Sequence, residues 1–267
     1  MIAAALSGEL TGEDPALRSV AVAFLTVQAA RHPGRGTGYT NAVLSVRVGA
    51  AVGSCAVEPG AVDEETARDC AGRRVAELLR HPLPPVRVAA LDAFLAAARP
   101  HAEHPLARRV VVPAGDSLVK SMARARAVAA ITRVPEGGRV AVIGVVNSLL
   151  AALRERGLDY LPCDLKGGRT EWGEPVLTEH AEAIAGADAV LASGMVLGNG
   201  TFDEIAATCA RRGLPLTMFA QTGPAVLREL LGGPVQALSA EPYPFFWLSG
   251  EPTPIHTYEA ARPEVTS

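Results

Sequence analysis

Three turns in the C-terminal half carry residues whose types and spacing suit a bound ligand. The first reads Ile143-Gly144-Val145-Val146-Asn147-Ser148, where a glycine lets the backbone turn closely and Asn147 or Ser148 can cap the helix that follows. Only one glycine of the dinucleotide fingerprint G-x-G-x-x-G is present, so the backbone cannot approach a pyrophosphate and a dinucleotide is disfavoured. Asp164 stands twenty residues after Gly144, at a strand end where an acid accepts hydrogen bonds from ribose hydroxyls. A glycine turn with a ribose-type acid and no pyrophosphate grip suits a nucleoside, with S-adenosylmethionine the obvious candidate. The alternative is that Asp164 is a solvated loop acid. The second turn, Gly194-Met195-Val196-Leu197-Gly198-Asn199-Gly200-Thr201, puts two glycines around Asn199 ahead of Thr201 as N-cap. Free amides there bind a carboxylate or phosphate, or simply start a helix. The third, Gln221-Thr222-Gly223-Pro224, occupies the same edge either as a ligand contact or as a helix cap.

The chain has 25 basic residues, of which only Lys120 and Lys166 are lysine, leaving 23 arginines. Lysine that survives such a skew marks places where a compact ammonium is needed, or survives by chance on the surface. Lys120 falls in the first turn of a helix opened by Asp116 or Ser117, where the helix dipole disfavours a cation. It could pair with Asp116, bind an anionic group, or act as a base if desolvated. Tyr39, Thr40 and Asn41 lie at the mouth of an N-terminal hairpin, where a second domain could fold them over a ligand.

The elements that position these residues fall into two styles. Apolar positions at helical spacing predict a helix over Leu17–His32, ended by His32-Pro33-Gly34 and followed by a glycine-rich loop from Gly34 to Asn41. Ala42–Val48 and Ala51–Val57 read as a hairpin turned at Gly49. Asp63-Glu64-Glu65 opens a helix to about Arg80, and Val86–Ala98 is another. From Arg139 strand and helix alternate: strands at Val140–Val146, Tyr160–Cys163, Ala189–Ser193, Leu214–Phe219 and Val235–Leu238, with helices between. This predicts an α/β protein whose C-terminal part is a Rossmann-like open parallel sheet, binding ligands outside the carboxyl ends of its strands. The expected division is an α+β domain over 1–114 and a Rossmann-like domain over 115–267. The aromatic run Pro242–Trp247, in a chain only 4% aromatic, is expected to serve packing or an oligomer contact.

The segments Gly144-x-x-Asn147-Ser148-Leu149-Leu150, Asp164 with Gly168, Trp172 and Gly173, and Ala187 to Thr201 resemble the heavy-metal-chelation family of Rossmann-like proteins. That resemblance implies an N-terminal domain like that of enolase joined to a Rossmann-like domain, with a site between them. It places Asn147, Asp164, Asn199, Gly200 and Thr201 at the edge of that site. It also implies a metal, although no pair of His or Cys has chelating spacing and only Asp164, His104 and His180 are ligand-type residues.

Bulk properties narrow the function classes. A 49% hydrophobic content excludes general disorder, and a net charge of -3 without basic clusters gives no reason to expect nucleic acid. Apolar stretches such as Ser19–Ala30 fall short of the roughly 20 residues that span a bilayer, so no membrane is expected. Glu9, Glu13 and Asp14 argue against a signal peptide, which with four scattered cysteines points to reduced thiols in the cytoplasm. Two functions follow. One is an enzyme on S-adenosylmethionine, by transfer or intramolecular displacement at the sulfonium. Lys120 or Tyr39 would then be base or positioning group, and Thr40, Asn41, Gly144, Asn147, Ser148, Asp164, Gly194, Asn199, Gly200, Thr201 and Gln221 would bind the ligand. The other is a non-catalytic protein for a metal or metal chelate; a homo-oligomer is possible with either.

Overall fold

A computed structural model describes residues 1–31, 38–243 and 248–261. In chain order the elements are α1 (Ile2–Leu6), β1 (Val20–Ala30), β2 (Tyr39–Val48), β3 (Ala51–Val57), α2 (Glu64–Cys70), α3 (Val75–Leu78), α4 (Pro84–Ala98), β4 (Arg108–Val112) and α5 (Ser117–Ile131). There follow β5 (Arg139–Ile143), α6 (Asn147–Glu155), β6 (Asp159–Cys163), α7 (His180–Ala185), β7 (Ala189–Ser193), α8 (Met195–Gly198), α9 (Phe202–Arg212), β8 (Leu216–Ala220), α10 (Pro224–Arg228), β9 (Ala237–Ala240) and β10 (Thr253–Glu259). Among the described residues no helix is long and apolar enough to cross a membrane.

Two sheets result. The larger has the order β4-β10-β9-β8-β7-β5-β6, in which β5 to β9 are mutually parallel and β10 runs antiparallel to β9 and β4. Numbered from β5, the parallel part reads 2-1-3-4-5, a doubly wound order whose switch point lies between β5 and β7. Strands β5 and β7 to β9 are buried on both faces, and β6, at the end of the sheet, only towards its carboxyl end. One apolar cluster carries Leu149, Leu150 and Val128 from α5 and α6, and the other Ile184, Ile205 and Leu227 from α7, α9 and α10. The smaller sheet, β1-β2-β3, is antiparallel throughout and shares its core with α4. Mixed α/β architecture with these two sheets is thus what the sequence leads one to expect.

Several local expectations are corrected. Leu17–His32 is not a helix: Val20–Ala30 is strand β1, pairing along its length with β2 from Ala30↔Tyr39 to Val20↔Val48. Its β-branched and aromatic residues, Val20, Val22, Phe24, Thr26 and Val27, prefer a pleated surface, and eleven residues of apolar content fit either period until a partner strand decides. The helix expected from Asp63 to Arg80 is two pieces, because Gly72 takes φ +80 and its amide donates to the Val20 carbonyl, drawing the chain into an extended link. Val146, not Asn147 or Ser148, precedes the first turn of α6, and no side chain caps it. Strands β4 and β10 were not expected. His32–Thr37 and Pro244–Trp247 lie outside the described residues, and with them half of the glycine-rich loop and most of the aromatic run.

The small sheet is fastened to the large one at β3. α4 comes so close that a Cβ on Gly53 would stand 2.1 Å from the Ala93 amide nitrogen. On the same strand the Ser54 amide donates to Asp92 Oδ2 (3.1 Å), and Asp92 Oδ1 accepts from the Ala225 amide (2.7 Å) in the first turn of α10. Thr222 and Gly223 add two more links, from the Ala56 amide to Thr222 Oγ1 (2.9 Å) and from the Gly223 amide to the Ser54 carbonyl (2.9 Å). Burial pushes the Asp92 carboxyl up to about 7, against the opposite pull of its amide donors and of Arg228.

A carboxyl whose folded pKa stands above its unfolded value contributes stability below about pH 4, and that contribution is lost as pH rises to about 7. Wild type is therefore expected to lose melting temperature between pH 4 and 7.5 relative to Asp92→Asn, whose amide does not titrate. Parallel pH profiles of melting temperature for the two proteins would contradict the raised value.

Candidate functional site

The carboxyl ends of β5, β6 and β7 meet at the switch point. Gly144 leaves β5 at φ +89, and a Cβ there would fall 2.7 Å from the Ser193 Cβ, so only glycine lets the two strand ends close together. Asp164, at the end of β6, locks this turn: Oδ2 accepts from the Val145 amide (3.1 Å) and Oδ1 from the Lys166 amide (3.0 Å). Each carboxylate oxygen keeps a further lone pair. Asn147 Oδ1 faces the Glu171 amide at 3.4 Å, and Ser148 is buried against Ser121 with their hydroxyls 2.6 Å apart. Gly194 admits no side chain, since a Cβ would meet the Thr222 carbonyl oxygen at 2.3 Å.

Above this edge lies the small sheet, and between them is a cleft of about 230 Å³. Thr40 and Asn41 of β2 and Leu25 and Val27 of β1 line one wall; Lys166 after β6 and Met195 after β7 line the other. Tyr39 lines a separate hollow at the open end of the hairpin, with Thr40 common to both. Burial raises the Tyr39 phenol, and Arg124 only partly offsets this, so at neutral pH it is a hydrogen-bond donor rather than a base.

The remaining sequence-picked residues are engaged within the chain. Asn199 Oδ1 accepts both the Thr201 amide (3.1 Å) and the Thr201 hydroxyl (2.8 Å), so one amide expected to be free for an anion is taken. Gly200 adopts φ +80 in open space, and Gly198 packs where a Cβ would meet Cys55 Sγ at 2.7 Å. Gln221 Nε2 points to Glu241 Oε2 (3.4 Å). Glu241 is wholly buried, pairs with Arg124 Nε at 2.6 Å and accepts the Ser239 hydroxyl at 3.0 Å. Lys120, 2% exposed, donates to the carbonyls of Ser249 (2.9 Å) and Glu251 (2.5 Å) and to Thr253 Oγ1 (2.7 Å), and lines neither hollow. Three oxygens thus meet the three donors of an ammonium.

Sequence reasoning missed Asp92, Arg124 and Glu241 altogether. Asp92 did leave a signal, as the one acid inside Ala89-Ala90-Leu91-Asp92-Ala93-Phe94-Leu95, a helix segment apolar on every side.

The site defines a doubly wound α/β protein with its ligand edge roofed by a small antiparallel sheet. Residues 127–238 match the model of the family DUF364, described as "Putative heavy-metal chelation". Two solved structures of DUF364 proteins of unknown function are similar over nearly the whole chain. One is from Desulfitobacterium hafniense, with 13% identity over 96% of this chain and 99% of that one and a TM-score of 0.59. The other is from Pyrococcus horikoshii, with 15% identity over 97% and 100% and a TM-score of 0.56. At such identities the likeness establishes the fold alone. No curated protein matches the chain significantly.

The described residues do not fit a chelated heavy metal. Among the described residues no group of three or more His, Cys, Asp or Glu is placed to hold one, and Asp164, His104 and His180 join no such group. All four cysteines are buried and unpaired, and burial raises every thiol, Cys55 to about 12 and Cys163 and Cys209 to about 11. Metal-binding cysteine needs the thiolate. Histidines gather around Tyr258, but His101 and His256 are stacked at 15° with centroids 6.0 Å apart, and His101 Nδ1 is 2.7 Å from the Tyr258 hydroxyl. In-plane lone pairs of parallel rings do not converge on one ion.

Replacing Lys120 strands buried oxygens. Lys120→Met is expected to cost roughly 2–4 kcal/mol of unfolding free energy in urea. Lys120→Arg should not restore it, because a planar fork cannot reproduce three diverging donors. Stability equal to wild type in both variants would show that the ammonium does not hold the 249–253 segment.

Proposed function

We propose that the chain binds a nucleoside-type small molecule, S-adenosylmethionine or its demethylated product, along the carboxyl edge of the large sheet with one end in the cleft. The observation that carries this reading is the meeting, in one cleft, of Lys166, two residues beyond Asp164, with Met195 from the β7 end and Thr40 and Asn41 from the small sheet. Open α/β sheets take ligands at their switch point, and here that point holds a glycine turn, a strand-end acid and a roof. The free lone pairs of Asp164 are suited to ribose hydroxyls. Size supports a divided ligand: drug-sized molecules occupy about 300–1,000 Å³, so a cleft of about 230 Å³ receives part of one. Of the two residues that the sequence suggested as a base, Lys120 spends its ammonium on three oxygens outside the cleft and Tyr39 keeps its phenol proton, which favours binding and orientation over acid–base work.

Calorimetry on the untagged protein tests the reading. S-adenosylmethionine and S-adenosylhomocysteine are expected to bind, and Asp164→Asn, which keeps one acceptor for the turn, to weaken both about tenfold, or ~1.4 kcal/mol. Absence of binding by both ligands overturns the proposal; binding indifferent to Asp164→Asn, with melting unchanged, removes Asp164 from the ribose.

A further inference from the structure

One cation and one anion line the cleft together with apolar side chains. Lys166 comes from the loop after β6, and Glu58 from the turn that follows β3. Both are exposed, and neither forms an ion pair or a side-chain hydrogen bond among the described residues. The same hollow is lined by Val27, 71% exposed, and by Met195. Thr40 and Asn41 add a hydroxyl and an amide at the rim.

We propose that this cleft is an α-amino-acid subsite, in which Lys166 takes the carboxylate, Glu58 the α-ammonium, and Val27 and Met195 an unbranched apolar side chain. This rests on the proposed function for where the remainder of the ligand lies. Opposite charges that line one largely apolar hollow without pairing with each other match a zwitterion; an inorganic anion would leave Glu58 repelling it, and a purely apolar group would leave both charges unused. Volume agrees: about 230 Å³ equals roughly eight waters at ~30 Å³ each, the size of a methionine-like group of eight to ten heavy atoms. A ligand seated there also covers Val27, which accounts for an exposed apolar residue inside a concave surface. The alternative carboxylate site, the Asn199–Thr201 turn, already spends its Thr201 amide on Asn199. This moves carboxylate recognition from the end of α8 to Lys166.

The test measures the full-length protein against S-adenosylhomocysteine, adenosine, L-methionine, and L-methioninol, which lacks the carboxylate. Lys166→Met is expected to weaken S-adenosylhomocysteine and L-methionine about tenfold while leaving adenosine and L-methioninol unchanged. Glu58→Gln should weaken S-adenosylhomocysteine and L-methionine, with 4-methylthiobutyrate, which lacks the ammonium, unaffected. Since both side chains are exposed, melting temperatures serve as the folding control. If adenosine binds as tightly as S-adenosylhomocysteine, and neither substitution matters, the subsite is overturned while nucleoside binding stands. If adenosine does not bind but L-methionine does, dependent on Lys166, nucleoside binding fails and the subsite stands. No binding by L-methionine and S-adenosylhomocysteine overturns both.

Discussion

A single buried carboxylate decides how the two sheets of this protein meet. Asp92 reaches from α4 to one amide on β3 and one in the first turn of α10, so three elements from both halves of the chain converge on two oxygens. Its surroundings are built around that reach. Glycine at position 53 lets α4 lie against the backbone of β3, and the Thr222–Gly223 turn closes on β3 from the other side. Remove the carboxylate and two buried amides lose their acceptor, which costs more than the hydrogen bonds are worth in isolation. The roof over the ligand edge is held in place there, some distance in sequence from any residue that would touch a ligand.

Beneath that roof the polar groups are sorted into two kinds. Arg124, Glu241, Ser239 and the half-buried Gln221 are linked to one another, with the Arg124 guanidinium also 5.4 Å from the centre of the Phe219 ring. Such networks specify geometry more than they add stability. Lys166, Glu58, Thr40 and Asn41 face a hollow instead. The distinction separates what shapes the edge from what a ligand would meet, and it follows from burial rather than from residue type.

The large sheet was legible because most of its parallel strands are apolar runs cut by turn residues, with β5 and β7 to β9 buried on both faces. The small sheet was half legible: the β2–β3 hairpin announced itself at Gly49, whereas β1 imitates a helix in one dimension and is settled only by pairing with β2. Strand β4 is a short end strand whose partner β10 lies far away in sequence, and nothing local marks either of them. At the candidate site, Gly144, Asp164 and the hairpin residues Thr40 and Asn41 could be singled out from sequence because turn chemistry and strand ends have fixed meanings. Lys166 was signalled only by the rarity of lysine. Lys120 gave the same signal, and the structure shows why one cue can point two ways: a compact ammonium suits three converging carbonyl and hydroxyl oxygens as well as it suits a ligand. Glu58 carried no cue, since an acid after a strand is commonplace.

The position of β10 has a consequence for how the chain is made. β4 pairs with β10 alone, at one end of the large sheet, although about 140 residues separate the two in sequence. During synthesis β4 emerges well before its partner exists and must wait, unpaired, while β5 to β9 are produced and can assemble by shorter-range contacts. Long-range pairing of this kind is slow, and an unpaired strand with Val110, Val111 and Val112 is adhesive while it waits. The arginines that begin β4, Arg108 and Arg109, are the charges that keep it from pairing elsewhere in the interval.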